Sequence, residues 1–110
     1  MITVQTRDRT LELAIKNILY VEGTSHRSVF LHLVKERDAI ECVGKLSDYE
    51  VRLSDNGFLR LQKSYLANME HIVKIRNYIA TLRDGTELKV SERQYAQVKK
   101  QFLMWRGRIL

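Results

Sequence analysis

The sequence predicts a mainly β domain of short strands with two small helices, and three observations carry that prediction. Short apolar or β-branched runs recur from Ile2 to Val90, several of them strictly alternating. Turn dipeptides such as Asn56-Gly57 and Asp84-Gly85 punctuate them. Helical spacing appears in only two places, around Tyr49 and from Ser91 onward.

The elements follow in order. Ile2 to Thr6 and Thr10 to Ala14 alternate around Arg7-Asp8-Arg9, which predicts a hairpin. Ile18 to Glu22 and Ser28 to Val34 are rich in β-branched and aromatic residues, with the polar connection Gly-Thr-Ser-His-Arg between them. Ala39 to Val43 is a further strand. Leu46, Tyr49 and Leu53 then fall at helical spacing, and Ser47 with Glu50 has the pattern of a capping box. Asn56-Gly57 supplies a left-handed stop. From Gly57 to Ile72 an apolar anchor (Phe58, Leu59, Leu61, Leu66, Ala67) carries Arg60, Gln62, Lys63, Ser64, Tyr65 and Asn68, a rigid platform for outward recognition. Ile72 to Ile75 and Tyr78 to Leu82 make a hairpin across Arg76-Asn77, and Asp84-Gly85 turns the chain into Glu87 to Val90. Ser91 and Gln94 form a second capping-box pattern, opening an amphipathic basic helix through Tyr95, Val98 and Phe102.

At 110 residues, with 45% hydrophobic residues and no proline or low-complexity linker, residues 1–110 are expected to form one domain. The net charge is +6, and the stretch from Lys89 to the end sets six basic residues against Glu92 alone. That balance favours an anionic partner, nucleic acid or a membrane surface, without choosing between them. A single cysteine, Cys42, excludes an intrachain disulfide or a cysteine-rich zinc site, and its strand setting suggests a buried structural thiol. No signal-peptide pattern and no membrane-length apolar run is present, so a cytoplasmic protein without a membrane span is expected.

Chemistry-bearing motifs are scarce. His26, His32 and His71 are far apart without metal-binding spacing, and no nucleophile elbow, P-loop or dinucleotide fingerprint occurs. No catalytic residue, metal or cofactor is therefore expected. His26-Arg27 is either a solvated turn tip or a loop offering imidazole and guanidinium to the acceptors of a guanine edge. His32, flanked by Leu31 and Leu33, suits a sheet-face role. Arg93 lies two residues beyond the Ser91 cap, where a cation opposes the helix dipole but could enter a groove while Ser91 and Lys89 hold the backbone.

Taken together, Ile-Leu-Tyr-Val-Glu (18–22), Thr-Ser-His-Arg (24–27), Gly-Lys-Leu-Ser-Asp-Tyr-Glu (44–50), the run 57–72 and Leu-Arg-Asp-Gly-Thr-Glu-Leu-Lys-Val-Ser-Glu-Arg (82–93) closely resemble the LytTR (LytR/AlgR-type) DNA-binding domain. The resemblance spans about residues 2–102, leaving 103–110 as a basic and aromatic tail. The family's Phe-x-Arg, basic-Ser and Val-Asn positions correspond to Phe58, Arg60, Lys63-Ser64 and Ala67-Asn68, while Glu92 replaces the central basic residue of its Ser-Arg-Arg-like motif.

The resemblance implies an elongated β-sheet sandwich flanked by two small helices. It also implies loops that enter two successive major grooves and cross the intervening minor groove. Carried over by position, His26, Lys63 and Arg93 would read bases, with Lys63 at the minor groove. Arg27, Arg60, Gln62, Ser64, Lys89 and Ser91 would contact the backbone or support the readers, and Asn68 would be a structural turn residue. The implied function is sequence-specific double-stranded DNA binding by a bacterial transcription regulator, with a second copy on direct repeats. The chain would be the effector of a two-component response regulator or a stand-alone regulator, with a receiver domain or an inhibitory protein as further partners. The alternative is a basic interaction module that docks an acidic regulator or a membrane surface.

Overall fold

The structure, a computed structural model, describes residues 1–108. Its centre is a five-stranded antiparallel sheet of β3 (Ile18–Gly23), β4 (Ser28–Leu33), β5 (Ile40–Val43), β6 (Phe58–Gln62) and β7 (Tyr65–Asn68), in the order β5-β4-β3-β7-β6. Successive strand residues point to opposite faces, and here the two faces serve two cores. Leu66 belongs to one and its neighbour Ala67 to the other.

The first core is closed by the hairpin of β1 (Ile2–Gln5) and β2 (Thr10–Leu13) and by α1 (Leu46–Arg52). Val4, Val21, Val29, Leu31, Tyr49 and Leu53 fill it. The second is closed by a three-stranded sheet, β8 (Ile72–Arg76), β9 (Ile79–Leu82) and β10 (Glu87–Lys89), and by α2 (Tyr95–Arg108). Leu59, Leu61, Leu82, Leu88, Val98 and Phe102 fill that one. The described residues span 39 × 29 × 25 Å, the elongated two-helix β architecture that was expected.

Most strand positions match the sequence reading, and the departures occur at element ends. The first helix starts two residues before the Ser47–Glu50 pattern would place it. Its N-cap is Lys45, whose backbone N–H donates to the Asp48 carboxylate at 3.3 Å. An ammonium cannot accept the reciprocal bond, so only half of a capping box forms. The β8–β9 turn is centred on Asn77 and Tyr78 instead of Arg76-Asn77. Both lie in the left-handed region, as a type I′ hairpin requires, and the Tyr78 ring packs on Tyr95 at 4.3 Å between centroids.

Helix α2 begins at Tyr95, so Arg93 stands in the turn ahead of it, not on a helical turn. The Ser91–Gln94 turn is closed by main chain, with the Gln94 N–H donating to the Ser91 carbonyl at 3.2 Å. The second capping box is therefore not made by side chains among the described residues. Along α2, Val98 and Phe102 are buried and Trp105 is half-buried, but Leu103 and Met104 face outward. The helix crosses most of the expected 103–110 tail, whose last two residues, Ile109 and Leu110, lie outside the described residues. Gly57 ends the 3₁₀ turn after α1 at φ +80°, and a Cβ there would meet the Trp105 indole nitrogen at 3.0 Å.

Candidate nucleic-acid interface

One end of the central sheet carries the β3–β4 turn, the β6–β7 turn and the connection into α2. Backbone hydrogen bonds join these segments in series. The Gly23 N–H donates to the Ser64 carbonyl at 2.9 Å, which couples the end of β3 to the β6–β7 turn. The β6–β7 ladder skips Leu61 between Arg60 and Gln62, a bulge of the kind that frees backbone groups and re-aims a strand end. The Leu61 carbonyl accepts instead from the Ser91 N–H at 2.9 Å, and the Gln62 amide donates to the Lys89 carbonyl at 3.1 Å. The segments that carry His26, Lys63 and Arg93, far apart in sequence, are thereby linked through five strands' worth of fold.

The His26 loop is pinned from within. Thr24 donates its N–H and its hydroxyl to the Ser28 carbonyl at 3.1 and 3.0 Å, and its oxygen accepts the His26 N–H at 3.1 Å. Such Ser/Thr turns fix short loops without regular structure. Arg27 takes a left-handed φ of +56°, and its carbonyl accepts from the Gly44 N–H at 3.0 Å. Gly44 itself sits at φ +124° above the ring of Tyr49, whose hydroxyl donates to the Val43 carbonyl at 2.9 Å. Burial pushes the Tyr49 hydroxyl pKa up. The His26 and Arg27 side chains are exposed.

Arg60 is built differently. Its guanidinium donates to Glu50 Oε1 at 2.6 Å, to the Gln62 carbonyl at 2.8 Å and to the Lys63 carbonyl at 2.7 Å. It wraps its own turn and ties it to α1, presenting Lys63 outward. Arg60, Gln62, Lys63, Ser91 and Arg93 line one open groove of about 750 Å³. Lys63 and Arg93 are exposed there, Gln62 and Ser91 half-buried. His26 and Arg27 line a neighbouring trough of about 890 Å³. Lys89 is exposed on β10, and the half-buried Ser64 holds Gly23 through its carbonyl.

Sequence reasoning missed Gln94, Gln97 and Gln101, which line the Arg93 groove from the start and flank of α2. Their three- and four-residue spacing is the signal that could have found them. Among the other residues singled out, Asn68 is buried, donating to the Ile18 carbonyl at 3.0 Å and accepting from the Glu70 N–H at 3.1 Å. His32 lies on the sheet face, stacked on Tyr20 and 2.9 Å from Glu22 Oε1. Burial, then the Glu22 carboxylate, pushes the Tyr20 hydroxyl up to about 12. Cys42 is buried, and burial raises its thiol pKa. No helix among the described residues is long and apolar enough to cross a membrane.

A mainly β fold whose linked turns hold exposed cations at one end defines a candidate nucleic-acid interface. The family model of the LytTr DNA-binding domain matches residues 8–103. The chain belongs to the LytTR family. The solved LytTr DNA-binding domain of a Bacillus cereus protein, described as a methyl-accepting/DNA response regulator, has the same fold. It superposes with a TM-score of 0.71 at 20% identity, over 93% of this chain and 94% of that one. No curated protein sequence matches the chain.

Proposed function

We propose that this chain is a single sequence-specific double-stranded DNA-binding domain of a bacterial transcription regulator, working in the cytoplasm. His26 and Arg93 enter successive major grooves, and Lys63 crosses the minor groove between them. Arg27, Lys89 and Ser91 contact the sugar–phosphate backbone. Arg60, Gln62 and Ser64 support the readers from behind. The observation that carries the reading is the chain of hydrogen bonds from Gly23 through Ser64 and from Leu61 and Gln62 to Ser91 and Lys89. Base readout needs side chains held in register, and that network fixes the relative positions of the three turns.

Phosphate contacts set register and make affinity salt-dependent, whereas base contacts confer sequence preference. With few readers per domain, one copy binds modestly, and two copies on direct repeats supply the rest. Bending a site of this size costs about 1–6 kcal/mol, so flexible steps between the contacted grooves are favoured. The domain serves a two-component response regulator or a stand-alone regulator, controlled by a receiver domain or an inhibitory protein.

Gel-shift binding to a promoter-fragment library across a salt series tests this. The expected result is a repeat-containing consensus with a steep salt slope. Equal binding to all duplexes would refute specific regulation. A second reading, a basic module that docks another protein, draws on the exposed Val73 and Leu103 beside Lys99 and Arg106. Absence of DNA binding even at low salt would favour it.

A further inference from the structure

The β1–β2 turn lies beside the His26 loop. Thr6, Arg7, Asp8 and Arg9 connect the paired residues Gln5 and Thr10. The turn is closed from inside. The Thr6 N–H donates to the Arg9 carbonyl at 2.8 Å, and the Arg9 N–H donates to the Thr6 hydroxyl at 3.1 Å. At its base the Thr10 hydroxyl donates to Gln5 Oε1 at 2.8 Å. A braced turn of this kind presents its side chains at fixed positions.

Arg7 and Arg9 are exposed, and among the described residues their guanidinium groups have no hydrogen-bond partner in the fold. They line the trough of about 890 Å³ together with His26, Arg27 and the end of β5. Two carboxylates are also present, each with one oxygen bonded and one open: Asp8 Oδ1 lies 3.1 Å from the Thr6 hydroxyl, and Glu41 Oε2 accepts from the Ser28 hydroxyl at 3.0 Å. The three guanidinium groups of Arg7, Arg9 and Arg27 outnumber these two carboxylates, so the lining is net positive. A guanidinium fork matches two phosphate oxygens and has no acceptor of its own. The match to the family model starts at residue 8, so Arg7 precedes it.

We propose that this trough seats the sugar–phosphate strand bordering the groove that His26 enters, with Arg7 and Arg9 closing on its outer phosphates. The hairpin is then an arm that lengthens the DNA footprint on one side without adding sequence preference. This inference rests on the DNA-binding reading above.

The test uses the whole chain and a duplex selected from a random library, titrated across a salt series. Each neutralised phosphate contributes about 0.9 to the slope of log K against log salt. The double variant Arg7→Gln, Arg9→Gln is expected to have a slope shallower by about 1.8 and weaker binding to every sequence alike, with an unchanged consensus. Arg7→Lys, Arg9→Lys is expected to keep the wild-type slope. Trimming the duplex from one end, but not from the other, is expected to abolish the difference between wild type and the Gln variant.

Wild-type slope in a folded Gln variant, checked by circular dichroism, would overturn the arm while leaving the DNA reading intact. A difference that survives trimming at both ends would also overturn it, because net charge alone would explain the loss. No duplex binding by the wild type would remove the underlying reading first.

Discussion

Two arginine-bearing turns at the same end of the sheet are constructed in opposite ways. In the β6–β7 turn, Arg60 donates to Glu50 and to the Gln62 and Lys63 carbonyls, so the side chain organises the backbone. In the β3–β4 turn the backbone is organised by Thr24, Ser28 and Gly44, and the Arg27 side chain is left exposed. One turn uses its cation as a brace and the other has it available for a ligand. Positive charge in a loop is therefore not equivalent to a contact. What matters is whether the loop needs the cation in order to hold its own shape.

This contrast ranks the expected effects of substitution. The readers come first. Arg93→Ala and His26→Ala should each remove about 1–3 kcal/mol of discrimination between the selected site and a scrambled one, the value of a good base contact. Competition binding measures this, and unchanged preference in Arg93→Ala would show the reader assignment to be wrong. Arg60→Ala should act on the fold itself. Three donated bonds from a partly exposed guanidinium are together worth about 1–2 kcal/mol of stability once solvent screening is allowed for. A lowered Tm is expected, together with weaker DNA binding. Arg27→Ala should leave Tm unchanged, and equal melting of the two variants would erase the distinction between brace and contact.

Lys89→Ala should weaken binding to all sequences alike and reduce the salt slope by about 0.9, with the consensus intact. A last effect, on stability at high pH and not on DNA binding, concerns Tyr20 in β3. Its folded pKa of about 12 exceeds the ordinary 10.0. The unfolded chain releases that proton first, so the Tyr20 contribution is complete below pH 10 and declines as pH rises toward 12. Denaturant midpoints measured across that window should fall in the wild type and fall less in Tyr20→Phe.

Much of the β framework was legible because period-2 alternation and β-branched runs survive into the structure unaltered, as in Ile2–Gln5 and Ser28–Leu33. The element ends were less so, for tertiary reasons. Ser91 donates its N–H to the Leu61 carbonyl, which holds it to the sheet and delays α2 to Tyr95. Tyr78 adopts a left-handed backbone that a lone sequence disfavours, and it is packed against Tyr95, which is remote in the chain.

The candidate site divides in the same way. His26 and Arg93 stood out by their turn and cap positions, and the resemblance added Lys63 and the three reader roles; none came from periodicity. No local pattern could show that Gly23 bonds Ser64 or that a bulge at Leu61 offers its carbonyl to Ser91. The brace role of Arg60 was hidden for a simpler reason: two of its acceptors are backbone carbonyls of its own turn, which side-chain identity does not reveal.

The central claim is that linked turns at one end of the sheet read DNA sequence. Its most direct test is repeated selection of a random duplex library by the wild-type chain, sequenced after each round. The account predicts enrichment of a repeated motif that depends on His26 and Arg93. A library bound without enrichment of any sequence would contradict it.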